Sequence, residues 1–158
     1  MKAVEIHQYG AARDVLRLNP DAPLPEPEPD EILIRNRATS INPVDCAARS
    51  GYGQNFFSRL GWGQLPMILG RDACGEIVAI GPDVEGLQIG DEVYAAPPIG
   101  CYAEFVKVQG AHAARKPRNI SHTETASLPF VALTAWTALV TEAGLTPENT
   151  VGKKIVVP

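Results

Sequence analysis

The 158-residue chain is 45% apolar and 20% charged, with a formal net charge of −4, a balance that suits a soluble globular protein with a real core. Its mixed charges leave no basic footprint for nucleic acid, and no apolar run approaches the ~18–20 residues of a membrane-crossing helix. Cys46, Cys74 and Cys101 are too widely spaced for a CxxC redox or zinc-finger pattern and read as free thiols of a reducing compartment.

In chain order, Val4 and Ile6 alternate with Glu5 and His7 as a first strand, and Val15 to Leu18 suits its hairpin partner. Asn19 to Glu31 carries prolines at 20, 23, 25, 27 and 29. Proline cannot donate ladder hydrogen bonds, so this stretch reads as an extended surface connection. Glu31 to Ala38 is predicted as a strand buried on much of both faces. Pro43 to Arg49 is predicted as a short helix, with Asn42 as its N-cap and Pro43 at N1. Ser50 to Pro66, with Tyr52, Phe56, Phe57 and Trp62 among four glycines, reads as a long functional loop.

Further strands are predicted over Gly75–Gly81, Leu87–Ala95 (broken by a turn) and Tyr102–Val108. Six or more short strands with frequent glycine turns imply a small barrel or rolled antiparallel sheet. After residue 120 the pattern becomes helical. Ser121-His122-Thr123-Glu124 fits a capping box, Pro129 starts or kinks a helix through Phe130–Leu139, and Gly144 closes it ahead of Pro147. Gly152-Lys153-Lys154-Ile155-Val156-Val157-Pro158 then reads as the opening strand of a parallel sheet. The expected division is a mainly β domain over 1–120 and linking helices plus one strand over 121–158.

Four segments, taken together, carry a resemblance. Asn42-Pro43-Val44-Asp45, Leu69-Gly70-Arg71-Asp72, Gly90-Asp91-Glu92-Val93 and Ser127 to Trp136 resemble, in order and spacing, the medium-chain dehydrogenase/reductase superfamily. The resemblance implies an N-terminal GroES-like domain followed by the first strand of an incomplete Rossmann domain. Members of the family continue from that strand into a glycine-rich turn that holds a dinucleotide pyrophosphate at a helix N-terminus. The main NADPH site is therefore expected beyond Pro158, and NADPH is not expected bound to this chain.

Zinc-dependent members carry a cysteine where Asn42 stands and Gly-His-Glu where Gly70-Arg71-Asp72 stands. An amide and a guanidinium are poor replacements for thiolate and imidazole. The resemblance thus points to the zinc-independent, quinone oxidoreductase-like branch, with no metal. It implies hydride transfer from NADPH to a small quinone, enone or carbonyl, within a homo-oligomer. It also implies a cytoplasmic location, or the mitochondrial matrix if a presequence has been removed. The alternative is a stand-alone GroES-like module that binds without catalysis.

By the same resemblance Asn42, Tyr52 and Thr134 are the candidate catalytic residues, Tyr52 and Arg71 contact substrate, and Asn42 and Thr134 approach the nicotinamide. Each has a plainer reading. Asn42 serves as a helix cap, Tyr52 as a loop aromatic packed on Phe56, Thr134 as a residue bonded back to its preceding turn, and Arg71 as the partner of Asp72 in a local ion pair.

Overall fold

Three consecutive buried residues, Ile32, Leu33 and Ile34, mark the strand around which the molecule is organised. The structure, a computed structural model, describes residues 1–59 and 64–156. In chain order its strands are β1 (Ala3–Ile6), β2 (Arg17–Asn19), β3 (Glu31–Ala38), β4 (Met67–Ile68), β5 (Ala73–Ile80), β6 (Glu92–Ala95), β7 (Phe105–Gln109) and β8 (Ala113–Arg115). The α-helices are α1 (Ala12–Val15), α2 (Pro43–Arg49), α3 (Gln54–Arg59), α4 (His122–Ala126) and α5 (Pro129–Trp136).

The strands form two antiparallel sheets, ordered β2-β1-β4 and β7-β3-β5-β6-β8. Because β3 lies inside the larger sheet, between β7 and β5, and Ile32, Leu33 and Ile34 are all buried, its apolar run is continuous rather than alternating, as expected. Ile32 and Ile34 pack with Ile77, Val93 and Val108 in one core. A second core joins Ile6, Val15, Met67 and Leu69 under the smaller sheet.

Register shifts between Leu33 and Ile34 and between Asn36 and Ala38 interrupt the β3–β5 ladder, and such bulges bend a strand. At the second of them Asn36 stitches the sheets together. Its Nδ2 donates to the carbonyls of Cys101 (2.9 Å) and Ala103 (3.2 Å), while Oδ1 accepts from the Cys74 amide at 3.2 Å. Ala103 in turn bridges to Ala3 of β1.

The extended proline-rich connection, helix α2 and the Ser121–Glu124 capping box match the sequence reading, as does the antiparallel pairing of β1 with β2, although Val15 falls in α1 and the second strand begins at Arg17. In that box the Ser121 amide donates to Glu124 Oε2 at 2.8 Å and the Glu124 amide to Ser121 Oγ at 3.2 Å. Several boundaries differ. Residues 87–91 form no strand, because Asp91 Oδ2 accepts the Gln88 amide and the Asp91 amide returns to the Gln88 carbonyl, closing a turn. The strand predicted from Tyr102 begins at Phe105. The loop expected over Ser50–Pro66 contains α3; Gly61, Trp62 and Gly63, and the side chains of Phe56 and Phe57, lie outside the described residues.

The helix read through residue 139 divides into α5 and a π-helical segment, Thr137–Glu142. Gly144, at φ +59°, closes it as predicted. Residues 153–156 adopt no strand. A parallel strand needs a neighbour to complete its ladder, and none of the described residues pairs with this segment. Val157 and Pro158 lie outside the described residues.

Candidate active site

The turn between β4 and β5 places Gly70, Arg71 and Asp72 beside the start of α2 and the start of α5. Gly70 sits at φ +97°, and a Cβ there would lie 2.5 Å from the Tyr102 ring. Both the left-handed backbone and the close ring therefore require glycine. Tyr102, so positioned, donates its hydroxyl to Asp45 Oδ2 at 3.2 Å. That same oxygen accepts the Asn42 amide at 2.8 Å, so Asp45 closes the capping box of α2. Burial, then the charge and hydrogen bond of Asp45, push the Tyr102 phenol well above its ordinary range.

Asn42 is 4% exposed and Asp72 1% exposed. Asn42 Nδ2 donates to Asp72 Oδ2 at 2.7 Å and to Ser40 Oγ at 3.3 Å. Ser40 Oγ also donates to Asp72 Oδ2, and the Phe130 amide donates to Asp72 Oδ1 at 2.7 Å. Each of these buried polar groups is satisfied within the cluster, as burial demands. The carboxylate thus turns inward to Asn42, Ser40 and α5.

Arg71 reaches α5 as well. Its guanidinium lies 5.4 Å from the centroid of the Phe130 ring, within cation–π range. Both residues line an open groove of about 1060 Å³, together with Tyr94, His112, Thr134 and Trp136. Its wall is mainly apolar, and Arg71 brings the cation that could meet a developing negative charge. Thr134 Oγ1 donates to the Phe130 carbonyl at 2.7 Å, which satisfies its hydrogen within the helix and leaves the oxygen as an acceptor.

The fold therefore brings Arg71 and Thr134 into one groove and joins Asn42 to it from behind, through Asp72. Tyr52 does not line this groove; it is 76% exposed on the turn after α2. Ser40, Tyr102 and the Phe130 amide were not anticipated. One sequence signal does exist for the last of these. Pro129 lacks an N–H and Leu128 lacks a capping side chain, so the first donor of α5 must find its acceptor elsewhere.

Residues 28–118 match the model of the alcohol dehydrogenase GroES-like domain. The chain belongs to this family. Within it, the chain is 38% identical over 161 residues to "NAD(P)H oxidoreductase RTN4IP1, mitochondrial" of Dictyostelium discoideum, covering 99% of this chain and 45% of that protein. Its fold superposes on the quinone oxidoreductase of Coxiella burnetii with a TM-score of 0.80 at 36% identity, covering 90% of this chain and 45% of that one. The Escherichia coli quinone oxidoreductase complexed with NADPH gives a TM-score of 0.76 at 27% identity, covering 90% and 41% respectively. This GroES-like chain is thus of the quinone oxidoreductase-like branch of the medium-chain dehydrogenase/reductases, and it spans about 45% of the length of the relatives it matches.

Among the described residues no three His, Cys, Asp or Glu side chains gather to hold a metal. Asn42 and Arg71 offer an amide and a guanidinium, which are poor zinc donors, and the Asp72 carboxylate is occupied by Asn42, Ser40 and the Phe130 amide. No helix among the described residues is long and apolar enough to cross a membrane.

Proposed function

We propose that this chain forms the acceptor-binding part of an NADPH-dependent, zinc-independent oxidoreductase that reduces a small quinone, enone or carbonyl. The observation that carries this reading is the groove itself. It combines a mainly apolar lining with the Arg71 guanidinium and the Thr134 hydroxyl. The resemblance to the E. coli quinone oxidoreductase complexed with NADPH supports the choice of cofactor.

When bound, NADPH supplies a hydride, and the acceptor takes up that pair of electrons together with a proton. This chain's residues prepare the acceptor. Phe130 and Trp136 offer ring faces to a planar substrate, and the Arg71 guanidinium donates to its oxygen as negative charge develops there. Thr134 Oγ1 accepts from the carboxamide of the nicotinamide, while Asn42 supports the wall from within. Tyr52 acts as proton donor only through movement of its exposed segment towards the groove. The mitochondrial designation of the Dictyostelium relative supports a place in the mitochondrial matrix rather than the cytoplasm.

Val131, Leu133 and Trp136 present a large exposed apolar face on α5. Faces of this kind are normally covered by protein, and the dinucleotide-binding half of the oxidoreductase would supply that cover, with the groove between the two halves.

The test is reduction of a benzoquinone, an enone and an aldehyde with NADPH by the oxidoreductase that contains this chain. Turnover with at least one acceptor, and a tenfold or greater rise in its KM in Arg71→Gln, are expected. Retained ligand binding with no turnover of any acceptor would favour a non-catalytic binding module.

A further inference from the structure

Helix α5 has no cap of its own. Its N-cap residue, Leu128, provides no side-chain acceptor, and Pro129 stands at N1, so Phe130 is the first residue with an amide hydrogen to satisfy. That amide is met from 58 positions away by Asp72 Oδ1, at 2.7 Å. The other oxygen of the same carboxylate receives Asn42 Nδ2 at 2.7 Å and the Ser40 hydroxyl. The Asp72 main chain is held as well, since its carbonyl accepts the Thr39 hydroxyl at 2.7 Å. A carboxylate is the side chain that accepts on both oxygens at once, and hydrogen bonds to a charged acceptor are stronger than neutral ones.

We propose that Asp72 is the positioning residue of the groove. With one oxygen it holds α5 by its first free amide, and with the other it holds Asn42, the cap of α2. The next residue back along the chain, Arg71, faces the groove. A single buried carboxylate therefore sets how Arg71, one residue away, and Phe130 and Thr134 on α5 stand relative to one another. This inference rests on the reading that the groove takes the acceptor.

Two variants separate the two halves of this role. Asp72→Asn keeps a carbonyl oxygen for the Phe130 amide but turns an NH2 group towards the donors of Asn42 and Ser40. Asp72→Ala removes both anchors. Amide hydrogen exchange on the chain reads the anchor directly. In Asp72→Ala the Phe130 amide should exchange at least tenfold faster, with the Ile34 and Ile77 amides of β3 and β5 unchanged; in Asp72→Asn it should stay protected.

In the oxidoreductase, the acceptor KM should rise tenfold or more in Asp72→Ala and stay within about threefold of the parent in Asp72→Asn. A purely structural residue would lower the melting temperature without changing the KM of the folded fraction. Unchanged Phe130 exchange in Asp72→Ala would overturn the proposal. If that variant does not fold, Asp72→Asn decides: a tenfold rise in KM while the Phe130 amide remains protected would show that anchoring α5 does not set the groove. If the parent protein reduces no acceptor, the functional reading fails on its own, and hydrogen exchange still decides whether Asp72 anchors α5.

Discussion

Asn42 Nδ2 lies 2.7 Å from Asp72 Oδ2, joining two buried side chains 30 positions apart. The contact ties the first turn of α2 to the loop that enters β5, and it gives Asn42 a structural duty in addition to any contact with the nicotinamide.

Replacing Asn42 by alanine should therefore cost stability as well as turnover. Losing a buried hydrogen bond to a charged group costs about 1.5–3 kcal/mol. At about 2–4 °C per kcal/mol for a chain of this size, Tm should fall by about 3–12 °C in a thermal melt. A variant melting within 1 °C of the parent would show that Asp72 finds another donor.

Thr134 and Tyr52 offer the opposite case. Both are exposed, and Thr134 Oγ1 bonds only within its own helix. Thr134→Ala and Tyr52→Phe should leave stability within about 0.5 kcal/mol, so a loss of kcat/KM in either reports a functional contact. Thr134→Ala should lower kcat/KM at least tenfold, and Tyr52→Phe should do so only if its hydroxyl reaches the acceptor. Steady-state kinetics alongside thermal melts would separate the two, and unchanged kinetics in both would remove these residues from the site.

The thiols make a prediction about alkaline pH. Burial pushes Cys74 up from its ordinary 9.0 to about 11, against a hydrogen bond from Thr125 that lowers it. Burial, followed by the charges of Asp72 and Asp45, pushes Cys101 well above 9.0. In the unfolded chain both thiols ionise near their ordinary value, while the folded chain keeps its protons. Between these limits the unfolded state binds fewer protons, so stability falls as pH rises. The urea midpoint should be unaffected by these groups below about pH 8.5 and decline towards pH 11. At neutral to mildly alkaline pH a thiol reagent should label exposed Cys46 first, and label all three cysteines after denaturation.

Metal analysis checks the zinc-independent assignment. Zinc sites need three or four thiolate, imidazole or carboxylate ligands, and no such group exists among the described residues. The purified protein should hold no stoichiometric zinc, and a chelator should leave its Tm unchanged. One zinc per chain by elemental analysis would reverse the assignment.

Local features were legible in the sequence because their partners lie within one turn or one strand. Asn42 as cap with Pro43 at N1, and Ser121 with Glu124 three residues on, mark helix starts through neighbours in the chain. The run Ile32-Leu33-Ile34 signals a strand covered on both sides. The order of the four family-like segments was likewise enough to identify the GroES-like fold, since it depends on sequence alone.

What each polar side chain meets was decided only by tertiary structure. Asp72 reaches Asn42 across 30 residues and Phe130 across 58, and Tyr102 reaches Asp45 across 57. Antiparallel pairing and bulges set those approaches, and no spacing in the sequence encodes them. Asp72 spends its carboxylate on partners that sequence spacing does not reveal, while its neighbour Arg71 stands over the Phe130 ring. Asp72 enters the core and Arg71 lines the groove. Residues 153–156 have strand propensity in their sequence, but without a neighbouring strand among the described residues to complete the ladder that propensity does not make a strand.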